Sequence, residues 1–108
     1  MAVAYARTIP NVRVLPLYQV SMFAQPQPCD MIVLREGYNP IFVEVRTNSY
    51  GLNKPSTLAL SALPDSGIVK QVWMHKDGEK GFVIREWDSL SASWLYKDSP
   101  YQQEGSCK

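Results

Sequence analysis

Histidine and cysteine are scarce in this chain of 108 residues, which contains only His75, Cys29 and Cys107. Without a Cys-x-x-Cys pair or a second histidine, the sequence argues against a zinc site, because zinc is held by clusters of these side chains. Small secreted domains held together by disulfides usually contain more cysteines, and the first residues lack the basic leader of a signal peptide. We therefore expect a cytoplasmic, intracellular protein.

An excess of either charge is also missing, since 11 Lys and Arg residues balance 10 Asp and Glu residues to leave a net charge of +1. Bulk charge alone therefore cannot hold nucleic acid, although a local basic patch stays open. The apolar runs are shorter than the roughly 20 residues that cross a bilayer, so we expect no membrane association. The length and the 45% hydrophobic content predict one folded domain over residues 1–108, with flexible ends at 1–10 and 99–108.

The order of apolar runs and turn residues predicts an α/β (α+β) fold. Strand-like runs lie at 11–23, 31–34, 41–46, 68–75 and 81–87, and a short helix is indicated at 56–63. Asp77-Gly78 is a strong hairpin signal between the last two strands. Residues 1–10 fit either a helical turn or an extended arm, and the segment around Trp94 fits a short helix packed on the sheet.

One carboxylate stands where the hydrophobic pattern favours none. Glu44 interrupts the run Ile41-Phe42-Val43-Glu44-Val45-Arg46, which is otherwise apolar at both odd and even positions up to Val45. Strands of this kind are usually buried on both faces, so an ionised side chain within one needs a partner. The sequence itself therefore directs attention to the surroundings of Glu44.

The preceding strand supplies a second carboxylate if the two strands form an antiparallel hairpin. With Glu36 opposite Pro40, Asp30 falls across from Arg46. Because side chains alternate with a period of two, Asp30, Glu44 and Arg46 then project from the same face of the sheet. A slip of one residue would disperse this cluster, so the prediction depends on the register.

Two carboxylates on one face, with the backbone carbonyl of Val45, form an all-oxygen site of the kind that Mg²⁺ or Mn²⁺ prefers. A bound divalent cation lowers the pKa of water and stabilises charge on a phosphate under attack. Arg46 beside the carboxylates would bind the phosphate or orient the water. The alternative is a structural ion cluster, because buried ion pairs also occur without a function.

These segments resemble the motif of the PD-(D/E)xK nuclease superfamily, which places an Asp at the start of one strand and Glu-x-Lys on the next. Asp30 matches the Asp, Glu44 the acidic position and Arg46 the Lys position. Over residues 28–47 the sequence looks most like the small archaeal Holliday junction resolvases. The resemblance implies a restriction-endonuclease-like mixed central β-sheet with flanking short helices.

The resemblance also implies a function, namely a metal-dependent endonuclease that hydrolyses DNA, including branched or Holliday junction DNA. Asp30 and Glu44, with the carbonyl of Val45, would hold the metal, and Arg46 would complete the catalytic set. Cleaving both strands of a symmetric junction needs two active sites, so we expect a homodimer.

Two departures from the family motif favour a second hypothesis. Arg46 replaces the Lys, and Arg cannot readily transfer a proton. No acidic residue precedes Asp30, whereas the family often has a Glu on an N-terminal helix. The chain would then be a non-catalytic module of the same fold that binds nucleic acid or a protein partner. A small β-rich accessory domain unrelated to nucleases is a third hypothesis.

Polar residues that follow the motif are candidate substrate contacts, because they would lie beside the site. They are Thr47, Asn48, Ser49, Tyr50 and Lys54. An ordinary solvated loop is the simpler interpretation of the same residues. The large aromatic residues, including Trp73 and Trp94, are expected to form core more often than platforms for stacked bases.

Overall fold

The computed structural model describes residues 2–16, 29–48, 51–52, 54–79 and 81–101. These residues form two short helices, α1 (Ala2–Arg7) and α2 (Pro55–Ser61). They also form six strands: β1 (Val12–Pro16), β2 (Met31–Arg35), β3 (Ile41–Thr47), β4 (Val69–His75), β5 (Val83–Asp88) and β6 (Ser93–Lys97). In these ranges, neither helix has the length and apolar character needed to cross a bilayer.

All six strands belong to a single sheet whose spatial order follows the chain from β1 to β6. Neighbouring strands are antiparallel except β3 and β4, which are parallel. The parallel pair requires a crossover, and α2 lies in the connection between these two strands. This arrangement confirms the coarse prediction of a mixed α+β fold with a central sheet and short helices.

Separate hydrophobic clusters cover the two faces of the sheet. On one face, Ala6 of α1 packs in a cluster with Val43 and Trp73. On the other face, Leu60 of α2 packs in a cluster with Val72. The sheet is therefore buried on both sides, which explains why β2 begins with the continuous apolar run Met31-Ile32-Val33-Leu34.

Helix α1 occupies part of the segment that the sequence marked as a flexible end. Ala6 is fully buried, and Tyr5 meets Trp73 edge to face, with 5.4 Å between the ring centroids. Of the two alternatives for residues 1–10, the helical turn is the one observed. These contacts fix the helix against the sheet, because Tyr5 also packs on Phe82.

The segment around Trp94 is strand β6, and the prediction of a helix there was wrong. Trp94 pairs in register with Trp87 on β5, and the two rings lie 5.3 Å apart. Aromatic pairs opposite each other on neighbouring strands stabilise a sheet, so this contact favours the extended conformation. The sequence shows Trp94, Leu95 and Tyr96 as one apolar run, and a run this short does not distinguish a helix from a strand.

The hairpin between β2 and β3 has a register two residues away from the predicted one. Ile32 pairs with Phe42 and Val33 with Ile41, so Glu36 does not lie opposite Pro40 and Asp30 does not lie opposite Arg46. The paired part of the hairpin ends at Val33 and Ile41, so the turn is wider than predicted.

The carbonyl of Pro40 instead accepts a hydrogen bond from the N–H of Val69 at 2.8 Å, on the side of β4. A shift of two residues keeps the side chains of the paired strand residues on their predicted faces. Asp30 lies outside this pairing, directly before β2.

We expect Leu60→Ala to lower the free energy of unfolding by about 2–5 kcal/mol, because it leaves a cavity where α2 packs on the sheet. Leu58→Ala is the matched control on the same helix, since Leu58 is 54% exposed while Leu60 is 0% exposed. The control should change stability by no more than about 0.5 kcal/mol. Urea unfolding curves measure both values, and equal losses would contradict the packing of α2 described here.

Candidate functional site

The side chains singled out by the sequence meet where β2 begins and β3 approaches its end. Asp30 directly precedes β2, while Glu44 and Arg46 lie two residues apart on β3. The pairing of the two strands ends at Met31 and Val43, and Asp30 just before it donates to the carbonyl of Val43. Asp30 is therefore not paired opposite Arg46 as the predicted register had it.

Glu44 is 4% exposed, and its two carboxylate oxygens have different surroundings. Oε2 accepts a hydrogen bond from the hydroxyl of Ser56 at 2.6 Å and lies 3.7 Å from Nη1 of Arg46. Oε1 is buried and has no hydrogen-bond partner among the described residues. Since a buried carboxylate oxygen without a partner is costly, Oε1 is the atom of this site that most needs a ligand.

The first turn of α2 covers these charges. Nη1 of Arg46 donates a hydrogen bond to the hydroxyl of Thr57 at 3.0 Å, and Thr57 is fully buried. Pro55 at the start of α2 sets the backbone angle for the first turn, in which its missing N–H costs nothing. The sequence Pro55-Ser56-Thr57 therefore places two hydroxyl groups over the charged pair of β3.

Asp30 ends the ladder between β2 and β3. Its N–H donates to the carbonyl of Val43 at 2.8 Å, and its Oδ2 accepts from the N–H of Val45 at 2.7 Å. Partial burial is the main cause that raises the pKa of Asp30; the hydrogen bond from Val45 lowers it, and the negative charge of Glu44 raises it. The charge of Glu44 is the smallest of these three influences on Asp30.

Cys29, next to Asp30, has a different character. The residue is buried, and burial together with the charge of Asp30 raises the pKa of its thiol to about 11. Because the thiolate is the form that binds metals and attacks electrophiles, Cys29 is inert near neutral pH. The chemistry of this region therefore belongs to oxygen ligands.

Carboxylate oxygens are the kind of donor that a hard divalent cation prefers. Oε1 of Glu44 is unpartnered among the described residues, and Asp30 is exposed and adds a second carboxylate. In the same ranges, no three His, Cys, Asp or Glu side chains converge on one point. Backbone and water would have to supply the other ligands, which suits Mg²⁺ because it usually keeps several waters. Val45 contributes its N–H to Asp30, while its carbonyl remains the predicted backbone ligand.

The candidate substrate contacts divide into three groups. Thr47 and Lys54 are exposed beside the site, as a contact residue must be. Asn48 instead exchanges hydrogen bonds with Asp77 at 2.9 and 2.8 Å, and its φ of 58° marks a tight turn, so its side chain holds two loops together. Ser49 and Tyr50 lie outside the described residues.

Sequence reasoning missed Ser56 and Thr57. Both residues were assigned to a short helix, and their hydroxyl groups received no role. The available signal was their position directly after Pro55, which predicts that both hydroxyl groups lie in the first turn of a helix. Only the crossover connection between β3 and β4 brings that turn onto Glu44 and Arg46.

Comparisons of the chain with models of protein families, with curated proteins and with solved structures found no match.

Thr57→Val should lower the free energy of unfolding by about 1–3 kcal/mol, because Arg46 loses a buried acceptor while the shape of the side chain is kept. Thr8→Val is the matched control, since the hydroxyl of Thr8 donates to Tyr5 at an exposed position. Urea unfolding measures both variants. A loss for Thr57→Val no larger than that of the control would contradict the buried network.

Asp30→Asn should change how stability depends on pH. Because the native pKa is raised, native Asp30 keeps its proton to higher pH than the unfolded chain does, so unfolding free energy falls as pH rises from about 3.9 through the native pKa. The variant removes this fall, and its amide oxygen still accepts from Val45.

Asp88 provides a control of opposite sign for this measurement. Its pKa is lowered, chiefly by the hydrogen bond from the hydroxyl of Ser91. The ionised side chain therefore contributes to the free energy of unfolding above the ordinary Asp pKa, and this contribution is lost as pH falls. Asp88→Asn should therefore flatten a rise of stability with pH. Unfolding curves taken between about pH 3 and 7 measure how the free energy of unfolding depends on pH in each variant. The same dependence in Asp30→Asn as in the unchanged protein would contradict a raised pKa of Asp30.

Proposed function

We propose that this protein is a divalent-metal-dependent endonuclease that hydrolyses DNA phosphodiester bonds, with branched or junction DNA as its substrate class. The proposal includes a restriction-endonuclease-like fold, as the resemblance over residues 28–47 implies. The observation that carries it is the buried, unpartnered Oε1 of Glu44 beside the carboxylate of Asp30. Two negative groups placed together without enough protein donors favour binding of a cation.

The surroundings of Glu44 orient it for such a role. Ser56 and Arg46 both approach Oε2, which leaves Oε1 for a ligand from outside the described residues. Thr57 in turn holds the guanidinium of Arg46. A ligand carboxylate is normally fixed by such outer contacts, which keep its other oxygen aimed at the metal. Ser56, Arg46 and Thr57 are therefore positioning residues for Glu44.

In hydrolysis of the phosphodiester, a water oxygen forms a bond to phosphorus and the bond from phosphorus to a sugar oxygen breaks. When bound, the cation would lower the pKa of the water that it binds and would neutralise negative charge on the phosphate. Arg46 stays protonated, so its contribution is positive charge near the phosphate and not transfer of the proton. Asp30 and Glu44 hold the cation, and exposed Thr47 and Lys54 flank the position of the substrate.

The proposal includes a homodimer, because two cleavages in one symmetric junction need two sites. Strand β6 is an edge of the sheet, and it exposes Leu95 and Tyr96 at 44% and 70%. An exposed apolar edge strand is a ready surface for pairing with a second chain. This edge is the part of the described chain most suited to such an interface.

A non-catalytic module is the second candidate, and one observation favours it. Arg46 stands at the position of the Lys in the family motif and is engaged by both Glu44 and Thr57. Such a network also suits a structural role, in which the ion pair fastens α2 to the sheet. The module would bind nucleic acid or a protein partner without cleaving a bond.

Purified protein should nick four-way junction, flap or linear DNA when Mg²⁺ or Mn²⁺ is present and should lose this activity in EDTA. Asp30→Asn and Glu44→Gln should each reduce cleavage by more than the roughly 10–100-fold that loss of an outer contact to a metal ligand costs. Both substitutions keep the hydrogen bonds from Val45 and Ser56, because an amide oxygen also accepts. Denaturing gels of end-labelled DNA measure the cleavage.

Glu36→Gln is the matched control, since Glu36 lies in the turn at the other end of the same hairpin. This variant should cleave as the unchanged protein does. DNA binding without cleavage in either metal would replace the nuclease with the non-catalytic module. Cleavage that survives both Asp30→Asn and Glu44→Gln would overturn the site.

A further inference from the structure

A cavity lies on the sheet face that carries α1, whereas Glu44 of the candidate site lies on the face covered by α2. Its volume is about 360 Å³, and Ile41, Val69 and Pro100 form apolar parts of its lining. Ile41 and Val69 belong to the hydrophobic cluster on the α1 face. The volume is in the range of small-molecule sites, so the cavity can take a ligand independently of Asp30 and Glu44.

A pair of tyrosines forms the aromatic wall of this cavity. The rings of Tyr38 and Tyr101 meet edge to face, with 4.7 Å between centroids. The guanidinium of Arg35 lies 4.8 Å from one ring centroid and 5.0 Å from the other. These cation–π contacts hold the wall in place before any ligand arrives.

The backbone that follows β6 is fixed at the cavity. The side-chain nitrogen Nε2 of Gln71 donates a hydrogen bond to the carbonyl of Pro100 at 3.0 Å, and Gln71 is fully buried. Tyr101 is therefore attached both to the centre of the sheet, through its neighbour Pro100, and to the β2–β3 turn, through Tyr38. The cavity is a built feature of the fold and not a gap beside an unattached end.

Two opposite charges line the same cavity without neutralising each other. Glu86 and Lys97 both contribute to its wall, and neither forms a salt bridge with another described residue. Lys97 pairs in register with Ile84, two residues from Glu86 on β5, so the two charged residues are diagonal neighbours. Diagonal neighbours have Cα atoms about 7–8 Å apart, which leaves room for a ligand between the head groups.

The carboxylate of Glu86 is also oriented in advance. Its Oε1 accepts a hydrogen bond from the side chain of Gln71 at 3.0 Å, and Gln71 in turn accepts one from the indole of Trp73 at 2.8 Å. A buried chain of hydrogen bonds therefore fixes one oxygen of Glu86 and leaves Oε2 as the one that this chain does not use. Preorganisation of this kind lowers the entropic cost of binding.

We propose that this cavity binds a free α-amino acid with an apolar or aromatic side chain. The ammonium group of the ligand would pair with Glu86 and its carboxylate with Lys97, while its side chain would pack on the tyrosine wall and on Ile41. An α-amino acid carries both charges on one carbon, which matches a short separation between an acid and a base. A nucleotide would place a phosphate charge beside Glu86, so the charge pattern disfavours it.

Isothermal titration calorimetry of the full chain with L-phenylalanine tests the proposal. Phenethylamine lacks the carboxylate, and 3-phenylpropionate lacks the ammonium group. Each should bind about tenfold or more weakly than L-phenylalanine, because each leaves one charged residue of the cavity unpaired. A nucleoside monophosphate is the competing probe, and tighter binding of that probe would overturn the assignment.

Glu86→Gln and Lys97→Met should each weaken L-phenylalanine binding by about tenfold or more. Glu86→Gln keeps an acceptor for Gln71, so the variant should fold. Glu79→Gln and Lys76→Met are matched controls at exposed positions of the β4–β5 turn, and both should bind normally. No binding of L-phenylalanine, or binding that neither cavity variant weakens, would overturn the proposal.

Discussion

The carboxylate of Glu44 imposes the strictest physical requirement in this structure. An ionised group inside a strand that is covered on both faces must find compensation, and the described chain supplies it to one oxygen only. Ser56 and Arg46 both reach Oε2, and Arg46 is held by Thr57. The position of α2 is therefore set by polar contacts as well as by the packing of Leu60. Breaking one member of such a buried group costs more than its pairwise contact suggests.

A buried charge also stabilises the C-terminal end of α2. Lys70 is 2% exposed, and its ammonium group donates to Asp65 at 2.7 Å and to the carbonyls of Ser61 and Leu63. Those carbonyls close the helix, where backbone acceptors lack partners within the helix. The crossover helix is thus fastened by a charged group at each end, although it has only seven residues.

Local signals in the sequence were sufficient for much of the fold. The Asp77-Gly78 turn is observed between β4 and β5, and Gly78 has the positive φ of 88° that such turns need. The apolar run holding Glu44 was recognised as a strand covered on both faces. That Glu44 and Arg46 share a face of the sheet was also predictable, because side chains two residues apart on a strand point the same way.

What the sequence did not show depends on contacts between distant segments. The carbonyl of Pro40, for example, binds Val69 of β4, a contact that exists only once β4 is in place. The buried ammonium group of Lys70 also finds its acceptors on a helix end that only the folded sheet brings near. The hydroxyl groups of Ser56 and Thr57 likewise gain their roles from the crossover.

The parallel pairing of β3 with β4 has a consequence for how the chain acquires its structure. The antiparallel neighbours β2–β3, β4–β5 and β5–β6 join segments close in sequence, but Ile41 must find Val69 across a long connection. Closing that connection costs chain entropy before the central contacts repay it. We therefore expect the two halves of the sheet to form before they join at the centre, and we expect this joining to limit the rate of folding.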